Sequence, residues 1–259
     1  MTSRISSIFA SNIAGGKKAL VTYIVAGDPD LAASQEILES LPEAGADIIE
    51  LGIPFTDPMA DGPVIQDAAL RALANGMTIA KLFQMVRDFR IKNDTTPIVL
   101  MGYFNSVFAY GAEKFALDAK SAGVDGLLIV DLPSEEEDEL VIPCKEHGLD
   151  FIRLATPTTD VKRLPSVLKN ASGFLYYVAV AGITGTTSAS ADNLKPALDE
   201  IRKHTKLPIC VGFGIKTPED AKAMAEIADG VVVGSALVDL ISKKADHSAF
   251  IKSLKSSIM

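Results

Sequence analysis

One carboxylate, Glu50, stands inside the apolar stretch "DIIELGI" (47–53), and a second, Asp61, follows in the loop "PFTDPMADGP" (54–63). Glutamate is poorly suited to a strand, and an unpaired carboxylate is unfavourable to bury unless it is protonated or hydrogen-bonded. A desolvated Glu50 would have a raised pKa and could act as both acid and base near neutral pH. Asp61, in a more polar loop, would stay ionised and stabilise developing positive charge. Two carboxylates in different environments indicate acid–base catalysis.

Each acid also has a structural explanation. Glu50 could form an ion pair with a neighbouring strand, while Asp57 before proline and Asp61 before glycine are common turn formers. Other polar residues near the ends of predicted strands are further candidates: Asp28, Tyr103, Asn105, Asp131, Thr156 and Thr184. At this point the sequence leaves both turn formation and catalysis open for the two aspartates.

Three glycine-rich segments occur late in the chain: "AGITG" (181–185), "GFGIKTPED" (212–220) and "VVVGSALV" (231–238). Gly234 and Ser235 are expected at the start of a helix, where free N–H groups and the helix dipole favour a dianion. The pattern predicts a phosphate site, with tight turns as the alternative. The polar segment that begins in the first of these, "GITGTTSASADNLK", is interpreted as a lid or a plain loop.

The elements that position these residues are eight short apolar runs, most of them β-branched and bounded by Gly or Pro. They lie at 19–26, 47–53, 97–103, 126–132, 150–156, 174–182, 208–214 and 230–236. Amphipathic segments separate them, so the order and size predict a single (β/α)8 TIM barrel over residues 1–259. A doubly wound sheet is the competitor, but the segment after the first run is not G-x-G-x-x-G.

Helix starts and a short extra N-terminal helix can also be predicted. The segment "MTSRISSIFASN" places Ile5, Ile8 and Phe9 on one helical face. Ser134 and Thr217 are good N-cap residues. The acidic run "SEEEDE" (134–139) is accordingly interpreted as a helix start with a solvated face.

The composition excludes several classes of function. The 259 residues carry a formal net charge of -8, which argues against nucleic-acid binding. Cys144 and Cys210 have no metal-ligand spacing and fit a reducing compartment. No apolar run suits a signal peptide or a membrane span, so the chain is predicted to be cytoplasmic with no membrane contact.

Metal and Schiff-base chemistry are not expected either. The three histidines, His147, His204 and His247, fall in helical segments away from strand ends, and no lysine interrupts a predicted strand. A metal site and a desolvated lysine nucleophile are therefore both unexpected. The remaining chemistry is acid–base catalysis by carboxylates on a phosphorylated substrate.

The motif "ELGIPFTDPMADGPVIQDA" (50–68) closely resembles the signature of the tryptophan synthase alpha chain family. Further motifs occur in that family's order and spacing: "MGYFN", "GLLIVDLP", "AGITG", "GFGI" and "VVVGSA". The resemblance implies a (β/α)8 barrel that cleaves indole-3-glycerol phosphate to indole and glyceraldehyde 3-phosphate without a metal. It also implies an αββα complex with a beta chain that carries pyridoxal phosphate, this chain itself holding no cofactor.

The resemblance further implies roles for individual residues. Glu50 would be the general acid–base, and Asp61 would hold the indole N–H. The phosphate would lie at Gly185, Gly214, Gly234 and Ser235. The indole pocket and lid would involve Tyr23, Ile65, Tyr103, Tyr176 and Thr184, and the beta chain would meet Pro54, Asp57 and Asn105. Val180, where several members have arginine, and Tyr23, where phenylalanine is frequent, depart from the family pattern.

Two rival functions compete with this interpretation. Other phosphate-binding barrels would need a catalytic lysine within a strand or strand-end histidines that hold a metal. A subunit that mainly activates the beta chain is the alternative from a different class, and the presence of both Glu50 and Asp61 disfavours it.

Overall fold

The computed structural model describes residues 3–179, 191–212 and 214–259. Its strands are β1 Ala19–Val25, β2 Ile48–Gly52, β3 Ile98–Gly102, β4 Gly126–Ile129, β5 Asp150–Phe151, β6 Arg153–Ala155, β7 Leu175–Val178, β8 Ile209–Gly212 and β9 Gly230–Val233. Its helices are α1 Arg4–Ala14, α2 Leu31–Ala44, α3 Pro63–Ala74, α4 Ile79–Lys92, α5 Phe104–Tyr110, α6 Ala112–Ala122, α7 Asp138–Glu146, α8 Leu164–Leu168, α9 Ala191–Arg202, α10 Pro218–Ala225, α11 Ser235–Ser242 and α12 His247–Ser257.

The strands form a ring of parallel pairs. Apart from β5 and β6, strands that are consecutive in the chain pair with each other, and β9 pairs with β1. The predicted fifth strand is divided at Ile152 into two pieces, of which β5 pairs with β4 and β6 pairs with β7. The ring therefore closes through the continuous chain at this residue. The prediction of a (β/α)8 barrel is confirmed.

The interior of the barrel is filled by a cluster of buried side chains and closed at its N-terminal end by α1. The cluster includes Val21, Ile48, Val99, Leu128, Ile152, Phe174, Cys210 and Val232. Ile5 and Phe9 of α1 are buried against it, and the Phe9 and Phe174 rings lie 5.9 Å apart. A helix of this length is marginal alone, so tertiary packing stabilises it. With the bottom closed, a ligand can enter only from the C-terminal end of the strands.

Three aspartates at the N-terminal end have a shared structural role. Asp47, Asp125 and Asp229 each directly precede a strand. Each carboxylate accepts a hydrogen bond from a backbone N–H group near the start of the preceding strand in the ring. The donors are Leu20 at 2.6 Å, Ile98 at 2.8 Å and Ile209 at 2.9 Å. Each acid also faces a cation, namely Lys255, Arg90 or Arg202. These acids are satisfied locally and hold the ring together.

The acidic run 134–139 differs from its prediction. Helix α7 begins at Asp138, and the Ser134 hydroxyl contacts the Ser166 hydroxyl at 2.8 Å instead of capping a helix. Glu137 is only 1% exposed, forms an ion pair with Arg153 and accepts a hydrogen bond from Asn170. The solvated-face interpretation is wrong for Glu137, because Arg153 lies on the outward side of its strand and is buried.

The other predicted cap is confirmed. Thr217 caps α10, and its side chain and that of Asp220 form a reciprocal capping box. Both predicted caps have an acid three residues on, but Asp220 reaches back to the Thr217 N–H, whereas Glu137 contacts Arg153 and Asn170. In the described part of the chain, no helix is long and apolar enough to cross a membrane.

We expect Glu137→Ala to lower the free energy of unfolding by about 3–5 kcal/mol, because it leaves the buried Arg153 without its counter-charge. Urea unfolding measures the change. Glu136→Ala is the matched control, since Glu136 is exposed and a change there should stay within about 0.5 kcal/mol. Equal effects for the two variants would contradict a structural role for the ion pair.

Candidate active site

Glu50 lies in β2 with its side chain inside the barrel. Its register partners are Tyr23 on β1 and Val99 on β3. The residue is 1% exposed, and its buried Oε1 atom has no hydrogen-bond partner within the described residues. Burial raises the pKa of Glu50 to about 8. The alternative of a structural ion pair finds no support among these residues, and at neutral pH the side chain is mainly a neutral acid.

Asp61 lies on the loop between β2 and α3, where Tyr103 holds it. The Tyr103 hydroxyl donates to Asp61 Oδ2 at 3.0 Å, and the Ala60 N–H donates to that hydroxyl at 3.0 Å. The ring of Phe55 stacks on Tyr103 at 5.5 Å. Burial raises the pKa of Asp61, and the hydrogen bond from Tyr103 partly offsets this rise. The loop is thus less polar around Asp61 than its sequence suggested.

The charges of both carboxylates affect the same two tyrosines. Burial raises the pKa of Tyr23, and the charges of Asp61 and Glu50 raise it further. Burial also raises the pKa of Tyr176, with further contributions from Glu50 and Asp61. Glu50 lies in β2 and Asp61, eleven residues on, lies in the loop that follows this strand.

Glycines make room for both rings. A Cβ atom on Gly52 would lie 2.4 Å from the Tyr23 hydroxyl, and one on Gly212 would lie 2.2 Å from the Tyr176 hydroxyl. Any larger residue at either position would displace the ring. The requirement for glycine in these two strands is therefore set by the tyrosines inside the barrel.

Two of the predicted phosphate residues, Gly234 and Ser235, form one helix start, and Gly214 lies in the loop after β8. Gly234 is the N-cap of α11, with no side-chain cap, and Ser235 is the first helical residue and exposed. Gly234 lies beside Tyr23, because a Cβ there would approach the Tyr23 Cβ at 3.6 Å. Gly214 has a φ of +82° and open space where a Cβ would stand. Uncapped N–H groups at a helix start suit an anion. Gly185 and Thr184, with Val180, lie outside the described residues.

Other strand-end acids have structural partners. The Asp28 carboxylate is buried and accepts two hydrogen bonds from Arg71 on α3, at 2.7 and 3.1 Å. The Asp131 carboxylate accepts from the Phe104 N–H at 2.7 Å and so holds the start of α5. Thr156 forms hydrogen bonds within its own turn. Ile65 is half-buried on α3 and packs on the main hydrophobic core. Unlike these acids at the C-terminal strand ends, Glu50 has a buried Oε1 atom without a partner among the described residues.

The residues predicted to meet a partner chain lie on an exposed, partly apolar surface. Pro54 is half-buried, whereas Asp57 and Asn105 are exposed. Beside Asn105, the Phe108 side chain is 61% exposed. A groove of about 390 Å³ adjoins them, lined by Phe104, Asn105, Phe108, Asp131, Leu132, Pro133, Glu136 and Glu139. The sequence reasoning missed Phe108, although an aromatic residue in the helix after "MGYFN" was a usable signal.

Metal binding has no visible support in the described ranges. Residues 3–179, 191–212 and 214–259 contain no group of three or more His, Cys, Asp or Glu side chains that could hold an ion. Cys210 is buried in the barrel interior.

Comparison with known proteins identifies relatives along the whole chain. The family model described as tryptophan synthase alpha chain matches residues 9–257. A tryptophan synthase subunit alpha from Legionella pneumophila is 41% identical, covering 100% of this chain and 99% of that one, with a TM-score of 0.91. Tryptophan synthase from M. tuberculosis in an aminoacrylate-bound form is 31% identical, covering 99% and 100%, with a TM-score of 0.90. The resemblance predicted from the sequence is confirmed.

The raised pKa of Glu50 predicts a pH-dependent stability. Its carboxyl group has an ordinary pKa of 4.5 and a pKa of about 8 in the folded protein. The folded state therefore binds more protons between these values. The resulting stabilisation is full below the lower value and is lost as the pH rises through the upper one. Glu50→Gln cannot ionise, so it should gain stability relative to wild type towards high pH, by on the order of a few kcal/mol.

Urea unfolding of both proteins at about pH 5 and about pH 9 measures this gain. Glu43→Gln, at an exposed position on α2, is the control and should show no pH-dependent difference. A Glu50→Gln difference that is the same at both pH values would show that the carboxyl group is not desolvated in the fold.

Proposed function

Because the chain belongs to the tryptophan synthase alpha chain family, we propose that Glu50 is the general acid and base of its lyase reaction. The protein is a tryptophan synthase alpha subunit, which cleaves indole-3-glycerol phosphate to indole and glyceraldehyde 3-phosphate in tryptophan biosynthesis. The observation that carries the proposal is the burial of Glu50 without a partner among the described residues, with a pKa of about 8.

The first step uses Glu50 as an acid. Near neutral pH its carboxyl group is mainly protonated, and it gives this proton to the indole ring carbon that bears the glycerol chain. The ring then carries positive charge, which Asp61 stabilises by accepting a hydrogen bond from the indole N–H. Tyr103 supports this role because its hydroxyl fixes Asp61 Oδ2 at 3.0 Å. Stabilising charge as it develops lowers the barrier to the step.

The second step uses Glu50 as a base. Its carboxylate removes the proton of the glycerol hydroxyl next to the scissile bond. The oxygen becomes the aldehyde oxygen of glyceraldehyde 3-phosphate as the carbon–carbon bond breaks, and the bonding electrons return to the indole ring. One proton enters the ring carbon and one returns to Glu50, so the residue ends as it began. A pKa near the working pH suits both directions of transfer.

The phosphate group would bind at the start of α11. Gly234 and Ser235 offer backbone N–H groups and the positive end of the helix dipole, and Gly214 leaves open space nearby. The family resemblance adds Gly185 to the proposed phosphate site and Thr184 to the proposed pocket and lid residues. Tyr23, Ile65 and Tyr176 would line the indole pocket.

We also infer the wider setting of the reaction. The ring of paired strands from β1 to β9 supports one catalytic domain over residues 1–259. The chemistry proposed for Glu50 and Asp61 needs no metal or cofactor in this chain. A cytoplasmic location remains a prediction from the sequence.

The proposed partner is a beta chain in an αββα tetramer that carries pyridoxal phosphate and receives the indole. Support comes from the M. tuberculosis relative, solved as tryptophan synthase in an aminoacrylate-bound form. In this chain the exposed Phe108, with Asn105 and the nearby groove, offers an apolar surface for such a partner. Pro54 and Asp57 would extend that contact along the loop that carries Asp61.

Replacement of Glu50 by glutamine tests the catalytic role. Glu50→Gln removes the group that transfers protons, so indole release from indole-3-glycerol phosphate should fall at least about 10²-fold. The assay is run with and without a beta chain, and Glu43→Gln serves as the control. Wild-type activity in Glu50→Gln would mean that Glu50 is structural. A wild type that releases no indole even with the beta chain would favour a subunit that mainly activates its partner.

Replacement of Phe108 tests the partner surface. Phe108→Ser removes an exposed aromatic side chain, and anchors of this type often contribute enough to change affinity about tenfold or more. Titration of the beta chain into the indole-release assay should show that more partner is needed for half-maximal stimulation. Ile91→Ser is the control, because Ile91 is also highly exposed but lies on α4. An unchanged titration for Phe108→Ser would place the interface elsewhere.

A further inference from the structure

Tyr23 and Glu50 lie side by side on neighbouring strands of the barrel. Tyr23 and Glu50 are register partners on β1 and β2, so both side chains point into the same space. The hydroxyl lies over Gly52, where a Cβ atom would approach it to 2.4 Å. Gly52 stands two residues after Glu50 on the same face of the strand, about 7 Å further along at the usual rise per residue. A glutamate carboxyl group, carried on two methylene groups, covers part of that distance, and a hydrogen bond of about 2.7 Å covers most of the rest.

Glu50 needs a hydrogen-bond donor at one stage of the reaction. Its Oε1 atom is buried and has no partner among the described residues, which a neutral carboxylic acid tolerates better than a carboxylate does. Once the proton has passed to the substrate, the group is ionised in a desolvated site. A donor that waits nearby would then stabilise it.

Tyr23 is suited to supply that donor. Burial raises its pKa well above the ordinary value, and the charges of Asp61 and Glu50 raise it further. Its phenol therefore keeps its proton even when both acids are ionised. The Tyr103 hydroxyl is already bonded to Asp61. The Tyr176 hydroxyl lies over Gly212 of β8, in another strand of the barrel.

The ionisable groups whose charges interact with these residues come from several elements of the barrel. They are Tyr23 on β1, Asp61 after β2, Tyr103 after β3, Tyr176 on β7 and Cys210 on β8. Asp61 is an acceptor when ionised, and the Cys210 thiol is a weak donor whose pKa burial raises. This leaves the two tyrosines on β1 and β7 as the strong donors available to Glu50.

We propose that Tyr23 is a positioning residue whose hydroxyl donates a hydrogen bond to the Glu50 carboxylate when that group is ionised. The inference rests on Glu50 being the acid–base of the reaction. Tyr23 transfers no proton itself: its O–H bond stays intact, and its hydrogen bond forms as Glu50 gives up its proton and is released as Glu50 regains one. The phenylalanine that is frequent at this position in the family lacks this donor.

The test is a direct titration of Glu50 by NMR in protein labelled with ¹³C at the glutamate carboxyl carbon. Glu50→Gln identifies the signal. A hydrogen bond to the charged form lowers a pKa, so Tyr23→Phe should move the Glu50 midpoint upward by about one to two pH units. Tyr177→Phe is the matched control, since Tyr177 is buried in a cluster outside the barrel interior, and it should leave the midpoint unchanged.

Turnover provides the second readout. In the presence of the beta chain, Tyr23→Phe should lower kcat about tenfold near neutral pH with little change in KM, because the hydrogen bond forms with the ionised Glu50 and not with bound substrate. An unmoved Glu50 midpoint in Tyr23→Phe, or the same shift in Tyr177→Phe, overturns the assignment. A shift in Tyr176→Phe alone would give the role to that residue instead.

Failure of the proposed function would look different. If Glu50→Gln kept full indole release, Glu50 would not be the acid–base, whatever its titration. If Glu50→Gln were inactive and the midpoint did not move in Tyr23→Phe, the catalytic role would stand and only the inference about Tyr23 would fall.

Discussion

The burial of Glu50 without a counter-charge in the described structure is the constraint on which the site depends. A carboxyl group desolvated in this way stays protonated until the pH approaches its raised pKa of about 8. Its surroundings favour the protonated form. Apolar side chains fill the barrel interior, and the ionisable groups that interact with Glu50 include two neutral tyrosines, Tyr23 and Tyr176. A lysine or arginine facing Glu50 would lower its pKa and remove the acid that the proposed first step requires.

Acidic residues at the two ends of the barrel lie in opposite environments. At the N-terminal end, Asp47, Asp125 and Asp229 bind backbone N–H groups and cations, so their charges stabilise the closure of the ring. At the C-terminal end, Glu50 is left without such partners among the described residues. An ionised, paired acid stabilises the fold. An acid that is to donate a proton near neutral pH must instead stay protonated there. The separation lets one sheet serve both purposes.

Much of this arrangement could be predicted from the sequence, because it depends on local patterns. The apolar runs gave the strands, Thr217 gave a helix cap, and a glutamate within an apolar run marked the site. Contacts between distant segments were not predictable. Nothing near Glu137 in the sequence indicates that Arg153 lies buried beneath it, and the division of the fifth strand at Ile152 follows from the closure of the ring. The position of the Tyr23 hydroxyl over Gly52 likewise depends on the pairing of β1 with β2.

Helix α5 contributes both to the proposed partner surface and to the contact that holds Asp61. Tyr103 is the N-cap of α5 and holds Asp61, while the next residue, Phe104, is held by the Asp131 carboxylate. Phe108, one turn further along α5, lies on the exposed groove. A partner that packs against this helix would therefore act on the residue that positions Asp61. Because the Asp61 carboxylate is held by the Tyr103 hydroxyl, a movement of Tyr103 would shift this carboxylate, and in the proposed reaction the partner would thereby affect the group that holds the indole N–H.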